Sequence, residues 1–406
     1  MKKGIMFSII LFFLAVSLVG LIAIQRSLVS YRRERIHVEM RIKSLNNMYD
    51  SLIRDAGSAL DTSLNRAMNA AFKNVTDEGI GLQEANETLK ELVWYGTIGG
   101  RDEDLMENAT FPYWIDKIEQ VDITRGFEID INPYTLEIKP YDSFNLLAEV
   151  EMDVDIIDIQ GVAALNRSVI LKKIVSIEEM EDPLYPLKTS GLVNNKIISS
   201  PYVGNYTQLL LFGDGGNGYV YGTATNDTTD FSGKILIVDD ANPIDLSGAV
   251  GVISETDFSV IPSIPFIVQG GATDTISDGQ NILLDGNGAN NRVWYIENLK
   301  EHVENLYYQS SETGASYLDR LEGRTYIHSK YSSQTNNDIG LESFIDKSEF
   351  PSEIPVYEDK SNVDYLYFSS GPLGNKVKGI STTSNWFRID SGHQDDYGVE
   401  QITEPV

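Results

Sequence analysis

Four acidic residues alternate along one stretch of this 406-residue chain, at Glu149, Glu151, Asp153 and Asp155. Apolar residues occupy the positions between them, so the stretch predicts a β-strand with the carboxylates on one face, about 7 Å apart. Carboxylate oxygens are ligands that divalent cations prefer, and such a row could bind them. Charged side chains mostly lie at the surface, however, and no loop closes a site here, so we interpret the row as a solvated face.

The remaining candidates for chemistry are weak. Two glycine-rich loops, 213–218 and 285–291, lack the Asp/Asn alternation closed by Glu that defines an EF-hand, so both predict ordinary turns. Cysteine is absent, and no Gly-x-Ser-x-Gly motif is present. The histidines have no metal-ligand spacing; they are His37, His302, His328 and His393. We therefore expect no enzyme, no catalytic or metal-binding residues, and no cofactor.

The charge of the chain is divided unevenly. Residues 1–76 carry 11 Lys and Arg against 5 Asp and Glu, whereas the remaining residues carry 21 against 55. A field this negative repels nucleic acid and anionic lipid, so we expect no nucleic-acid partner. The pattern predicts a basic stem and an acidic body.

One uncharged apolar run occupies residues 5–24. It is long enough to cross a lipid bilayer as a helix, which takes about 20 residues. The run is longer than the apolar region of a secretory signal peptide and offers no good small-x-small cleavage site. We therefore expect a retained anchor and a single-pass protein of the cell membrane, with the lipid bilayer as its first partner.

The orientation of this anchor depends on competing signals. The positive-inside rule alone places the large part in the cytoplasm, because six basic residues between Arg26 and Lys43 follow the run and only Lys2 and Lys3 precede it. The short amino-terminal side, the acidic body and six N-x-S/T sequons favour the opposite arrangement. We expect a cytoplasmic amino terminus and an extracellular body. The candidate glycosylation sites are Asn74, Asn86, Asn108, Asn166, Asn205 and Asn226.

A helical pattern continues beyond the apolar run. Apolar residues recur at steps of mostly three, four or eight from Leu28 to Val75, and no proline interrupts residues 5–75. The spacing predicts an apolar stripe on a helix that continues the span through residues 25–76. Beyond the membrane, either the chain's own globular part or neighbouring subunits must bury this stripe.

Period-two alternation then predicts an antiparallel sheet with one buried face, and Pro133 predicts a turn within it. Its strands are expected at 127–131, 134–139, 148–156 and 168–178, after short helices at 82–94 and 113–120. Further strands are predicted at 234–238, 248–254, 264–268, 281–284, 292–295, 363–368 and 386–389, with helices at 297–308 and near Tyr317. The fold class is α+β: a very long amino-terminal helix packed on an antiparallel sheet, then a mixed α/β-like part.

These patterns divide the chain into six segments. They are a basic tip at 1–4, the transmembrane helix at 5–24, its amphipathic continuation at 25–76, short helices and the sheet at 77–186, glycine-rich loops with a small α/β-like module at 187–296, and a mixed carboxyl-terminal region at 297–406.

The sequence Met1-Lys2-Lys3-Gly4 before the apolar run resembles the class III signal of type IV pilins and archaeal pilin-like proteins. The resemblance implies cleavage by a prepilin-type peptidase between Gly4 and Ile5, and assembly with pilin-like subunits through the apolar helix. The bacterial pattern has a glutamate five residues after the cut, where this chain has Ile9.

The distal half also resembles archaeal membrane-anchored surface proteins of uncharacterised function, which implies an archaeal cell-surface context. The matching stretches are 182–185, 320–323, 340–344, 363–368 and 386–387. Residues 231–268 are faintly similar to protease-associated domains, which are binding modules. We therefore predict a pilin-like surface protein with a structural, adhesive or assembly role. The alternative is an anchored extracellular module that binds a ligand or partner through residues 231–290 without polymerising.

Overall fold

The structure is a computed structural model in which the chain divides into two compact units. It describes residues 2–122, 126–213, 219–222, 235–238, 251–254, 267–268, 282–285, 291–380 and 384–405. Unit 1 comprises Met1–Ala70, Glu87–Ile138 and Leu147–Val175, and unit 2 comprises Ala71–Asn86, Lys139–Leu146 and Ser176–Val406. The described residues form an α+β fold with a long amino-terminal helix and antiparallel sheets, which confirms the predicted class.

Helix α1, Lys2–Glu78, is 77 residues long, which corresponds to about 115 Å at 1.5 Å per residue. It ends where Gly79 adopts a φ of +65° and donates its N–H to the Val75 carbonyl at 3.0 Å. Glycine takes this left-handed conformation without a Cβ clash and is common just after a helix. The uninterrupted helix predicted through residue 75 is confirmed.

Burial along α1 changes abruptly at Leu45, the first buried residue that the structure describes in this helix. The described side chains from Phe7 to Ser44 are exposed, apart from the half-buried Arg41. The stripe positions that follow are at most 3% exposed, except Met48, which is half-buried. The buried positions are Leu45, Leu52, Ala56, Leu60, Leu64, Ala67, Ala71 and Val75. The chain therefore buries the predicted stripe itself over residues 45–75, whereas the stripe residues between 28 and 40 face solvent.

The segment after α1 is mainly helical. Helix α2 spans Ala85–Tyr95 and helix α3 spans Phe111–Asp122, which confirms the two predicted short helices with shifted ends. Between them lie the paired strands β1, Thr97–Ile98, and β2, Arg101–Asp102. A 3₁₀ turn follows at Asp104–Met106.

A three-stranded sheet has the order β3-β4-β5. Its strands are β3, Phe127–Asp142, β4, Asn145–Asp158, and β5, Ala164–Ser176. A two-residue link joins β3 to β4, which is the connection of an antiparallel hairpin. Every second residue of β4 from Leu146 to Ile156 is at most 2% exposed, so the predicted alternation is confirmed.

The turn predicted at Pro133 is wrong, because β3 continues through this residue as a single strand. Proline lacks the N–H that a central strand needs, but an edge strand has one side without a partner. The sheet order places β3 at an edge. The proline is therefore accommodated without ending the strand.

Unit 2 contains several small sheets. In one of them the order is β10-β9-β8-β7, with β7, β8 and β9 parallel and β10 antiparallel to β9. These strands are β7, Tyr219–Gly222, β8, Ile235–Val238, β9, Gly251–Ser254, and β10, Ile267–Val268. In another, β12, Asn291–Tyr295, lies between β11, Ile282–Asp285, and β6, Gln208–Gly213. The strands predicted between 234 and 295 are confirmed, with ends shifted by one to three residues within the described part of the chain.

The remaining elements of unit 2 are short helices and strand pairs. The helices are α4, Leu184–Thr189, α5, Glu297–Glu304, α6, Tyr317–Leu321, α7, Ser329–Ser332, and α8, Asp364–Phe368, with 3₁₀ turns at Lys347–Glu349 and Glu400–Ile402. The strands are β13, Gln309–Ser311, β14, Gly340–Glu342, β15, Asn375–Val377, β16, Arg388–Ile389, and β17, Thr403–Glu404. Phe344 lies at the centre of the core, with its ring 4.7 Å from that of Phe387.

Two predictions for this region are wrong. Residues 363–368, predicted as a strand, form α8, and the helix predicted to reach Tyr308 ends at Glu304. Asp364, Tyr365 and Tyr367 of α8 are buried and its other two residues are half-buried, so the segment has no exposed face from which its period could be read. Tertiary packing overrides strand propensity in such segments.

Candidate functional site

The predicted processing site lies at the start of α1. Gly4 and Ile5 fall within its first turns. The apolar segment that follows has a mean hydropathy of 2.0, and none of it is buried. Phe12 and Leu14, for example, are 65% and 64% exposed. Within the described residues, α1 is the one helix that is both long enough and apolar enough to cross a membrane. It lies near the amino terminus, as predicted.

The next part of α1, residues 25–44, is basic and yet carries exposed apolar side chains. Leu28, Ile36 and Met40 are each more than half exposed. Apart from the half-buried Arg41, the side chains of these residues therefore lie exposed along about five turns of amphipathic helix in a single chain.

Arg41 contacts the edge of unit 1. Its guanidinium forms an ion pair with the buried carboxylate of Asp158, and Nη2 donates to the Gly126 carbonyl at 3.3 Å. The hydrogen bond from Arg41 holds the pKa of Asp158 below its ordinary value, against the effect of desolvation. The guanidinium also lies 5.1 Å from the ring centre of Phe127. These contacts lie about one turn before Leu45, where the exposed part of α1 ends.

The candidate glycosylation sites differ in their surroundings. Asn108 and Asn205 are exposed outside regular structure, and Asn166 is exposed on β5. Asn74 and Asn86 are half-buried within helices, and Asn226 lies outside the described residues. Acceptor asparagines typically lie in surface loops, so the geometry favours Asn108 and Asn205. Asn108 also has a φ of +57°, a left-handed conformation that asparagine tolerates.

The carboxylate row lies on β4, as predicted, and several of its members have partners on β5. Lys172 forms an ion pair with Glu149 at 2.6 Å, and the Ser168 hydroxyl donates to Asp153 at 2.6 Å. Asn166 donates to Asp155. Within the part of the chain that the structure describes, no group of three or more His, Asp or Glu residues is arranged to hold a metal ion.

A buried cluster of charges in unit 2 is centred on Arg320, which is 0% exposed. The guanidinium forms ion pairs with Asp182 and Asp364. It also donates from Nε to the Ala315 carbonyl at 3.1 Å and from Nη2 to the Leu341 carbonyl. Burial, only partly offset by Arg320, raises the pKa of Asp364 to about 6. As the pH falls, Asp364 therefore takes up a proton at a higher pH than an ordinary aspartate does.

A second buried cluster joins His393 to two carboxylates. Its Nδ1 lies 2.9 Å from Asp390, and its Nε2 lies 3.4 Å from Glu342 and 2.9 Å from the hydroxyl of Tyr365. Burial lowers the pKa of His393, but the hydrogen bonds that its ring donates to Asp390 and Glu342 raise it to about 10. The imidazole is therefore charged at neutral pH. Ser361 donates to Asp390 at 2.8 Å rather than to the histidine, so the group does not form a nucleophile–base pair.

The pKa of His302 is shifted in the opposite direction to that of His393. Burial lowers its pKa to about 4, so the ring is neutral. Its Nδ1 lies 2.9 Å from the Ser200 hydroxyl, and the ring packs against Tyr206 and Phe344 with centroid distances of 4.8 and 5.5 Å. This histidine is part of the core.

Sequence reasoning did not find either charged cluster. Asp390 and His393 are three residues apart, which is a local signal. The other members come from four or more separate segments, and nothing in their spacing indicates that they meet.

Comparison of the chain with protein-family models, with curated proteins and with solved structures finds no match.

Proposed function

We propose that this chain is a single-pass surface protein, anchored by the first third of α1, whose acidic body lies outside the cell and acts through structure and contact rather than through catalysis. The observation that carries the proposal is the division of α1: exposed and apolar up to residue 24, exposed and amphipathic to residue 44, and buried along one stripe from Leu45 onwards. Water does not favour such an exposed apolar surface, whereas lipid does.

In this proposal, the buried part of α1 is the central helix of unit 1 and covers one face of the β3-β4-β5 sheet. Contacts between the two elements support this packing. Lys173 of β5 lies 3.5 Å from Asp61 of α1, and the Arg167 guanidinium lies 5.1 Å from the ring centre of Tyr49. A Cβ on Gly57 would lie 3.9 Å from Leu171 of β5.

Pilin-like processing is the second part of the proposal. A prepilin-type peptidase would cut between Gly4 and Ile5, leaving the apolar helix at the new amino terminus. Mass spectrometry of the protein from its native membrane tests this, and we expect Ile5 as the first residue. A Gly4→Val variant should retain Met1 or Lys2. If the native protein starts at either of those residues, pilin-like processing is refuted and α1 is a simple membrane anchor.

Assembly through α1 is the third part, and the exposed apolar residues between 28 and 40 support it. The chain has no cysteine, so a single introduced cysteine can form a disulfide only with the same residue of another copy. We expect Leu28→Cys to form disulfide-linked dimers in membranes under mild oxidation. Ser30→Cys is the matched control, because it is also exposed and lies about 200° away around the helix. Equal cross-linking of both variants, or of neither, contradicts assembly through this face and favours the non-polymerising binding module.

A further inference from the structure

An open pocket within unit 1 has a volume of about 430 Å³ and lies between α1 and the start of α3. One wall belongs to α1 and includes the exposed residues Asp55, Ser58 and Thr62. The other wall is the segment that leads into α3, and it includes Asn108 and Trp114. The accessible surface of the pocket is mostly apolar. The pocket therefore combines an apolar lining with a polar wall on one side.

Asn108 is the acceptor of the sequon Asn108-Ala109-Thr110 and is exposed outside regular structure. The loop that carries it is held in place, because the buried Ser63 of α1 donates its hydroxyl to the Ala109 carbonyl at 2.7 Å. The Thr110 hydroxyl accepts from the Tyr113 N–H at 3.3 Å, which fixes the loop to the start of α3. A group attached to Asn108 therefore starts at the rim of the pocket.

Trp114 contributes an aromatic surface to the pocket. Its ring stacks on that of Phe111, with a centroid distance of 5.4 Å and an interplanar angle of 23°. Phe111 is 0% exposed, so it supports the indole from the core side. Trp114 itself is half-buried, and its accessible part lies away from Phe111. An indole supported in this way offers a rigid, flat, apolar surface to a ligand.

The α1 wall supplies hydrogen-bond acceptors. The Ser58 hydroxyl donates to the Arg54 carbonyl at 3.3 Å, and the Thr62 hydroxyl donates to the Ser58 carbonyl at 3.0 Å. Each hydroxyl oxygen keeps lone pairs that can accept from a ligand, and Asp55 adds an exposed carboxylate. A sugar ring matches the two walls, because its C–H face is apolar and its edge carries hydroxyl donors.

We propose that an N-linked glycan on Asn108 folds back into this pocket, with its first sugar rings against Trp114 and their hydroxyls bonded to the α1 wall. The inference rests on the proposed extracellular location of the body, since sequons are modified in exported chains. Attachment to Asn108 makes the occupant intramolecular, so weak individual contacts suffice to fill the pocket. The glycan thereby connects the loop before α3 to the buried part of α1 and stabilises unit 1.

The attachment step requires a lipid-linked oligosaccharide phosphate as the sugar donor and a transferase. The Asn108 amide nitrogen attacks the anomeric carbon of the first sugar. A C–N bond forms there, the C–O bond to the carrier phosphate breaks, and the amide loses one proton. The bonding electrons of the broken C–O bond leave with the phosphate, so no oxidant or reductant is involved.

Mass spectrometry of peptides from the protein in its native membrane tests attachment. We expect a glycan on the peptide that contains Asn108, and none in Thr110→Asn, which breaks the sequon but keeps a good helix cap. Thr110→Ser is the matched control, because it keeps both. A bare Asn108 refutes the inference, whether or not the exposed Asn205 carries a glycan. Accessibility of the body to a membrane-impermeant reagent in intact cells tests the extracellular location independently.

Thermal unfolding of the full chain in detergent tests packing against the aromatic surface. We expect the Tm of Thr110→Asn to lie about 2–4 °C below that of Thr110→Ser, as loss of one ordinary interaction produces in a domain of this size. In a Trp114→Leu background the two variants should have equal Tm, because the aromatic surface is gone. An equal difference in both backgrounds, or no difference in the wild-type background, refutes the packing of the glycan on Trp114.

A substitution on α1 tests the same packing without changing the aromatic stack. Ser58→Arg places a long side chain in the pocket from the opposite wall, and we expect it to abolish the Tm difference between Thr110→Asn and Thr110→Ser. Asn69→Arg is the matched control, because Asn69 is also exposed on α1 but does not line the pocket, and the difference should persist there. A difference that persists in Ser58→Arg refutes occupancy of the pocket by the glycan.

Discussion

Three buried cations in unit 2 show how differently single residues are stabilised. Arg320 has two carboxylates and two carbonyls as acceptors, and His393 has two carboxylates, whereas Lys347 Nζ has no hydrogen-bond acceptor within the described residues. Desolvation penalises all three. Carboxylates in direct contact offset it for the first two, whereas Glu358 and Asp359 offset it only in part for Lys347, whose Nζ has no hydrogen bond to either. The two cations with carboxylate partners are therefore structural.

The charge of His393 predicts a pH dependence of stability. Its pKa of about 10 in the fold lies above the ordinary 6.5 of an unfolded chain, so its contribution is fully present below pH 6.5 and is lost as the pH rises through 10. We expect the free energy of unfolding to fall by about 3 kcal/mol between pH 7 and pH 9.5. Urea unfolding at both pH values, followed by tryptophan fluorescence, measures this change.

The pH-dependent fall should be largely absent in His393→Gln, which cannot be protonated in this range. His37→Gln is the matched control, because His37 is exposed on α1 and should leave the fall unchanged. An equal fall in wild type and His393→Gln would assign the pH dependence to other groups, such as the buried tyrosines.

Sequence reasoning at this scale succeeded only where neighbouring residues share one element. The alternation from Glu149 to Asp155 placed its carboxylates on one face of β4 because a strand repeats every two residues. Arg320, Asp182 and Asp364 meet through tertiary packing, and no local period encodes that contact. The burial of Lys347 could not be predicted for the same reason, since the burial of a lysine depends on residues distant in sequence.

At the scale of elements, the long helix was the most predictable feature. An apolar stripe that repeats over many turns and lacks proline admits few other structures. The same pattern did not reveal where the stripe becomes buried, because Leu28 and Leu60 are equivalent in sequence terms. Short elements such as α8 were mispredicted, since five residues that are all buried or half-buried show no period.

The division of α1 predicts different costs for equivalent substitutions. Leu60 is 0% exposed and Leu28 is 56% exposed. Leu60→Ala should lower the free energy of unfolding by about 2–5 kcal/mol, because it removes buried methyl groups and leaves a cavity. Leu28→Ala should change the stability of the body by less than about 0.5 kcal/mol. Urea unfolding of both variants in detergent measures the difference, and comparable losses would contradict the boundary at Leu45.

At the scale of the whole molecule, the uneven distribution of charge gives opposing indications of the side of the membrane on which the acidic body lies. The basic residues between Arg26 and Lys43 favour the cytoplasm under the positive-inside rule, which counts Lys and Arg near the ends of a span. Two of them already have partners, since Arg35 pairs with Glu39 at 2.8 Å and Arg41 pairs with Asp158. The acidic body and the exposed sequons at Asn108 and Asn205 favour the outside.

A single cysteine in the body decides between these orientations, because the chain has none of its own. Glu353 is exposed in unit 2, so Glu353→Cys should leave the fold intact. We expect a membrane-impermeant maleimide to label this variant in intact cells as fully as after permeabilisation, because an extracellular body is accessible from the medium. The cysteine-free wild type controls for background. Labelling only after permeabilisation would place the acidic body in the cytoplasm. The basic residues after the apolar run would then determine the topology, as the positive-inside rule alone predicts.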